Sequence, residues 1–120
     1  MAVAGETEIR PSEMAAAAAE AASVLRALSN PARLMLLCSL VGAERTVGEL
    51  EVALDLGQAY VSQQLARLRE EGLVTATRDG RMMRYRLSDQ RVAPVIAVLY
   101  EQFCRRPGQA AQNPGRNPPR

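Results

Sequence analysis

A chain of 120 residues has room for one domain, with or without tails. At 48% hydrophobic and 23% charged it has the composition of a soluble globular protein, which excludes collagen-like, disordered and disulfide-scaffold chains. The net charge is +2, all fifteen basic residues are Arg, and His is absent; a nucleic-acid surface must therefore come from clustered arginine, and histidine general-base or triad chemistry is excluded.

Residues 1–11 are polar, end in Pro11 and read as a flexible arm. Ser12 is the expected cap of an alanine-rich helix from Glu13 to about Leu28. Acidic Glu6, Glu8 and Glu13 ahead of the run Met14–Ala19 are wrong for a signal peptide. No stretch approaches the eighteen or so apolar residues of a membrane span, so the expected location is the cytoplasm and no membrane partner is expected. Asn30-Pro31 reads as a cap followed by proline at the first helical position, opening a helix to about Val41 that stops at Gly42. Its expected buried face is Leu34, Leu37, Cys38 and Val41.

Thr46 and Glu49 have capping-box spacing and open a short helix over about 47–54. After a turn at Leu56-Gly57, a second helix covers about 58–71 and buries Val61, Leu65 and Leu68. Two short helices joined by a tight glycine-containing turn match a helix-turn-helix. Leu73–Thr77 is β-prone, Asp79-Gly80 is a hairpin signal, and Arg81–Leu87 alternates. A hairpin directly after a helix-turn-helix is a wing. Ser88-Asp89 opens the last helical segment, which reaches Arg106, with Pro94 either kinking it or marking its true first turn. The segment is apolar over a wide arc, including Val98, Leu99, Tyr100 and Phe103, which suits an interface between two copies. The tail 107–120 holds four of the seven prolines and no large apolar residue, and is expected to be disordered.

The expected fold is therefore mainly α with a small β-hairpin. It is a winged helix-turn-helix domain over 12–106, forming a homodimer through its first and last helices.

On the second helix, Ala59, Ser62, Gln63, Ala66 and Arg67 lie opposite Val61 and Leu65, with Gln58 and Tyr60 at its start. Gln bonds adenine in a bidentate way, Ser reaches bases or phosphate, and a helix N-terminus favours phosphate. The wing sets Arg78, Arg81, Arg84 and Arg86 against one acid, Asp79, whereas residues 1–30 are net acidic. Positive charge is thus localised, as phosphate binding requires. The candidate DNA-contacting residues are Gln58, Ala59, Tyr60, Ser62, Gln63, Arg67, Arg78, Arg81 and Arg84. A twofold dimer would set two reading helices about 34 Å apart, one turn of DNA, and read an inverted repeat.

The stretch LRALSNPARLMLLCSLVG, then TVGELEVALDLGQAYVSQQLARLREEGLV, then RDGRMMRYRLSD resembles the ArsR/SmtB family of bacterial winged-helix repressors over about residues 22–105. The resemblance implies a DNA-binding repressor and no enzyme. Many members sense metals, but one family site needs thiols where Glu49-Leu50-Glu51-Val52-Ala53 stands, and another needs histidines where Asp89, Gln102 and Arg105 stand. No metal site and no cofactor is expected. Cys38 and the Cys104 of VLYEQFC are similar to the thiol pair of the persulfide-responsive SqrR/BigR-like branch. That resemblance implies that reactive sulfur species join Cys38 to Cys104 and release operator DNA, with a persulfide or polysulfide donor as inducer. Cys104 is expected to be the more exposed thiol and Cys38 the more buried one.

Alternatives within the fold are a general oxidant sensor that forms a disulfide and a soft-metal sensor that uses both thiolates. An alternative of another class is a dimeric protein-interaction module without DNA binding.

Overall fold

The computed structural model describes residues 8–105. The expected tail 107–120 and most of the expected arm lie outside them. In chain order the elements are α1 (Pro11–Leu28), α2 (Pro31–Ser39), β1 (Arg45–Thr46), α3 (Val47–Leu54), α4 (Gln58–Glu70), β2 (Val74–Asp79), β3 (Met82–Leu87) and α5 (Val92–Phe103). The chain divides into two compact units after Leu34, inside α2.

In the first unit, α1 starts two residues earlier than the Ser12 cap implies. Pro11 takes the first helical position, where its missing N–H costs nothing. Arg10 is the cap residue and makes no side-chain cap bond, so Ser12 lies within the helix. Val24, Ala27 and Leu28 are buried, while Met14 and Leu25 are exposed. Asn30 caps α2 as expected: its Oδ1 accepts the N–H groups of Ala32 (2.9 Å) and Arg33 (3.1 Å).

The second unit is built around Leu36, Leu37, Leu40, Leu50, Val61, Leu65, Leu68, Leu73, Val74, Val92 and Ile96, all buried. The buried face of α2 differs from the expected one. The helix ends at Ser39 and the chain turns through Gly42 at φ +75°, so Val41 lies beyond the helical face and is exposed. Leu36, Leu37 and Leu40 point inward, and Cys38 is left exposed.

Thr46 and Glu49 form a complete capping box on α3. The Thr46 N–H donates to Glu49 Oε1 (2.9 Å) and the Glu49 N–H donates to Thr46 Oγ1 (3.1 Å). The turn into α4 is made at Asp55, in the left-handed region at φ 55°, rather than at the glycine that follows; a short Asp side chain tolerates this conformation.

The wing is larger than a hairpin. Its sheet has three antiparallel strands in the order β1-β3-β2, because Arg45 and Thr46 pair with Tyr85 and Arg84. Asp79 pairs with Met82, so the hairpin loop is Gly80-Arg81, with Gly80 at φ +65°. A positive φ at the first loop residue alone is the sign pattern of a type II′ turn, the twist hairpins favour.

The last helix is shorter than its sequence suggests. Ser88 and Asp89 precede it: the Ser88 N–H donates to the Leu73 carbonyl (2.9 Å) and Asp89 binds Arg91. Pro94 is the third residue of α5, within the first turn, where a missing N–H removes no helical bond. It starts the helix rather than kinking it. No helix of the described residues is long and apolar enough to cross a membrane.

Candidate nucleic-acid interface and dithiol

α4 separates its residues cleanly. Val61, Gln64, Leu65 and Leu68 are buried, a repeat of three and four that fixes which side faces the core. The opposite face carries Gln58, Ala59, Ser62, Gln63, Ala66 and Arg67, all exposed. Tyr60 is half-buried at the margin. The N-cap is Gly57, with no side-chain cap bond, so no side chain occupies the amide-rich start of the helix. Gln64 escaped the sequence reading, since its type gives no hint of burial. It lies on the inner face, and its Oε1 has no hydrogen-bond partner among the described residues.

The four wing arginines do not share one environment. Strand register puts Arg84 and Arg86 on the face that carries Thr75, Thr77 and Asp79, and puts Arg78 on the face of Ala76, Met83 and Tyr85. Arg81 is in the loop. Arg78 and Arg81 are exposed, and neither pairs with a carboxylate among the described residues. Arg86 donates from Nη1 to Thr77 Oγ1 (2.8 Å). Arg84 donates from Nε to Asp79 Oδ2 at 3.0 Å. That bond, with weaker attraction from Glu49 and Glu44, raises the Arg84 guanidinium above its ordinary pKa.

Both cysteines are free thiols and both are exposed. Cys38 is in the last turn of α2 and Cys104 caps α5. The expectation of a buried Cys38 fails: like Cys104, it is exposed. Arg105, next to Cys104, lies over the Tyr100 ring, 5.9 Å from its centroid. The Arg45 Nε donates to the carbonyl of Ser39, the residue after Cys38, at 3.3 Å, which ties the end of α2 to the sheet. No group of three or more His, Cys, Asp or Glu among the described residues is placed to hold a metal ion.

A helix-turn-helix with an exposed polar reading face, followed by an arginine-bearing β-hairpin, defines the winged-helix class of DNA-binding regulators. Residues 30–76 match the family described as "Bacterial regulatory protein, arsR family". The biofilm growth-associated repressor of Xylella fastidiosa (strain Temecula1 / ATCC 700964) is 44% identical over 98 residues, spanning 82% of this chain and 86% of that one. The repressor of the same name from Agrobacterium fabrum is 47% identical over 87 residues, 72% of this chain and 74% of that one. The crystal structure of the transcriptional repressor BigR from Xylella fastidiosa superposes with a TM-score of 0.77 at 43% identity, covering 80% of this chain and 98% of that one. The chain belongs to the arsR family of bacterial transcriptional regulators, in its BigR-like repressor branch.

Proposed function

We propose that the chain is a repressor that grips operator DNA as a homodimer and lets go when a polysulfide links Cys38 to Cys104. The observation that carries the DNA reading is the exposed strip of Gln58, Ala59, Ser62, Gln63 and Arg67 along α4, opposite a fully buried row. In the major groove Gln63 pairs with adenine, Ser62 meets a base or phosphate, and the alanines allow close approach. Tyr60 stands at the margin of the strip. Arg78 and Arg81 of the wing meet the phosphate backbone. Two copies joined through their first and last helices set the two reading helices about 34 Å apart, which fits an inverted repeat.

Two exposed thiols in one chain support the sulfur reading, because sulfur exchange requires access to the attacking thiol. An organic tetrasulfide illustrates the balance. One Cys thiolate attacks an inner sulfur and expels RS⁻. The second thiolate then attacks the protein-bound sulfur chain and expels the other RS⁻. Two Cys–SH and R–S–S–S–S–R give Cys–S–S–S–S–Cys and two RSH: the thiols are oxidised, the donor is reduced, and the thiol protons end on the leaving groups. A simple disulfide needs Cα atoms within about 7 Å, and each inserted sulfur adds about 2 Å of reach. Thiols set slightly too far apart therefore select sulfur chains over peroxide or diamide. The bridge changes the dimer so that its reading helices no longer match two half-sites, at a coupling of about 1–3 kcal/mol.

The test begins with duplexes enriched on the protein from a random pool, followed by anisotropy titrations with and without a dialkyl tetrasulfide. Wild type is expected to release DNA on treatment and to gain an intramolecular sulfur bridge by intact mass. Cys38→Ser and Cys104→Ser are expected to bind as tightly as wild type and to ignore the donor. Release by either variant sinks the dithiol reading. Equal crosslinking by diamide replaces it with a general oxidant sensor. Failure to enrich any duplex favours a protein-interaction module.

A further inference from the structure

Arg84 differs from its neighbours on the wing. It sits at the centre of the three-stranded sheet, paired in register with Thr77 on β2 and with Thr46 on β1. Its side chain is 35% exposed, against 64% for that of Asp79. Asp79 ends β2 immediately before the Gly80-Arg81 loop, at the part of the wing that projects furthest from the sheet's third strand. Because Asp79 pairs with Met82, Arg84 is its diagonal neighbour on the same face, within reach of a long side chain. The Nε–Oδ2 distance of 3.0 Å shows the contact made.

An exposed pair of this kind adds little stability. Its consequence lies in charge. A lone carboxylate next to the loop arginine would face the DNA polyanion and repel it, whereas a carboxylate bonded to a guanidinium presents no net charge. Arg78 and Arg81 have no such partner among the described residues.

We infer that Arg84 is a positioning residue that neutralises Asp79 at the wing edge, rather than a phosphate contact, leaving Arg78 and Arg81 as the wing's phosphate ligands. The inference rests on the DNA reading above. It divides four arginines of one hairpin into contacting and compensating members.

The test is the salt dependence of binding to the enriched duplex for wild type, Arg84→Gln, Asp79→Asn, the Asp79→Asn/Arg84→Gln double variant and Arg81→Ala. Arg84→Gln is expected to weaken binding at least fivefold. Asp79→Asn alone binds at least as tightly as wild type, since it leaves the positive charge of Arg84 uncompensated. The double variant returns to within about twofold of wild type with an unchanged slope of log affinity against log salt. Arg81→Ala, the control for a phosphate ligand, lowers that slope by about one. A double variant as weak as Arg84→Gln, with its slope reduced by about one, makes Arg84 a phosphate ligand and overturns the assignment. An Arg84→Gln protein that binds like wild type also overturns the assignment, leaving Arg84 neither a compensating residue nor a phosphate ligand. No binding by wild type to any duplex removes the DNA reading itself, an outcome distinct from either. Circular dichroism melts of all five proteins, expected to coincide within a few degrees, separate charge effects from misfolding.

Discussion

Asp89 closes the junction between the wing and α5 with one side chain. It accepts the Arg91 backbone N–H at 2.9 Å, Arg91 Nε at 2.9 Å and Arg91 Nη2 at 2.6 Å. These bonds, those of the guanidinium foremost, hold its carboxyl at about 2, below the ordinary 3.8. A folded-state pKa below the unfolded one adds stability that is complete above the unfolded value and lost as pH falls toward the folded one. The contribution is about 2 kcal/mol, present at neutral pH and lost between about pH 4 and pH 2. Asp89→Asn is therefore expected to be less stable at pH 7 by that amount and to converge on wild type near pH 2, read by urea unfolding across the range. Parallel curves at every pH would show that the bonds carry no linkage. At this scale the sequence spoke where partners are close along the chain. The Asn30 cap and the Thr46–Glu49 box were both legible because they join residues two or three apart. The outward turn of Cys38 was not, since it depends on α2 turning Leu36, Leu37 and Leu40 inward rather than the face of Leu34, Leu37 and Cys38, and the inward turn of Gln64 depends on packing that polarity does not report.

Among the elements, α3 illustrates how one residue serves two structures. Thr46 is the second residue of β1, in register with Arg84, and is also the N-cap of α3. It is buried, so its backbone N–H and hydroxyl need partners inside the protein, and Glu49 supplies both. Thr46→Ala removes the acceptor of the Glu49 N–H and is expected to cost about 1 kcal/mol, within the range of N-cap truncations, measured as a lower urea midpoint at unchanged slope. Thr46→Ser keeps the hydroxyl and should recover most of the loss; equal loss in both variants would assign the effect to the methyl group's packing instead. The reading helix α4 was plain in the sequence because its thirteen residues carry several repeats of burial at spacings of three and four, and the hairpin because Asp79-Gly80 marks its turn. β1 was invisible for the opposite reason. Two residues have no period, and their strand character exists only through β3. The start of α5 was read too early because Ser88 and Asp89 have the chemistry of a cap, whereas the Ser88 N–H is already committed to Leu73.

At the scale of the whole molecule, α5 carries apolar surface that is left exposed. Along α5, Val98 (58%), Tyr100 (50%) and Phe103 (66%) are exposed, while Val92 and Ile96 on the same helix are buried. Tyr100 and Phe103 stand four and seven residues after Ile96 and so continue its stripe past the part that is covered, while Val98 faces the other way. This exposed surface is the one that the proposed homodimer would cover. The DNA reading asks for the same thing, since one α4 spans only a half-site. Phe103→Glu places a charge in the proposed seam, where it would lie next to its own symmetry mate or be desolvated against an apolar surface. The variant is expected to sediment as a monomer at concentrations where wild type is a dimer, with a far-ultraviolet spectrum that stays helical. Its affinity for a full inverted repeat should fall to that for a half-site, and its salt slope should be roughly halved, because half the phosphate contacts are gone. A wild-type chain that sediments as a monomer, or a Phe103→Glu chain that remains a dimer with full affinity, would move the seam away from α5 and oblige the two reading helices to be brought together by another surface.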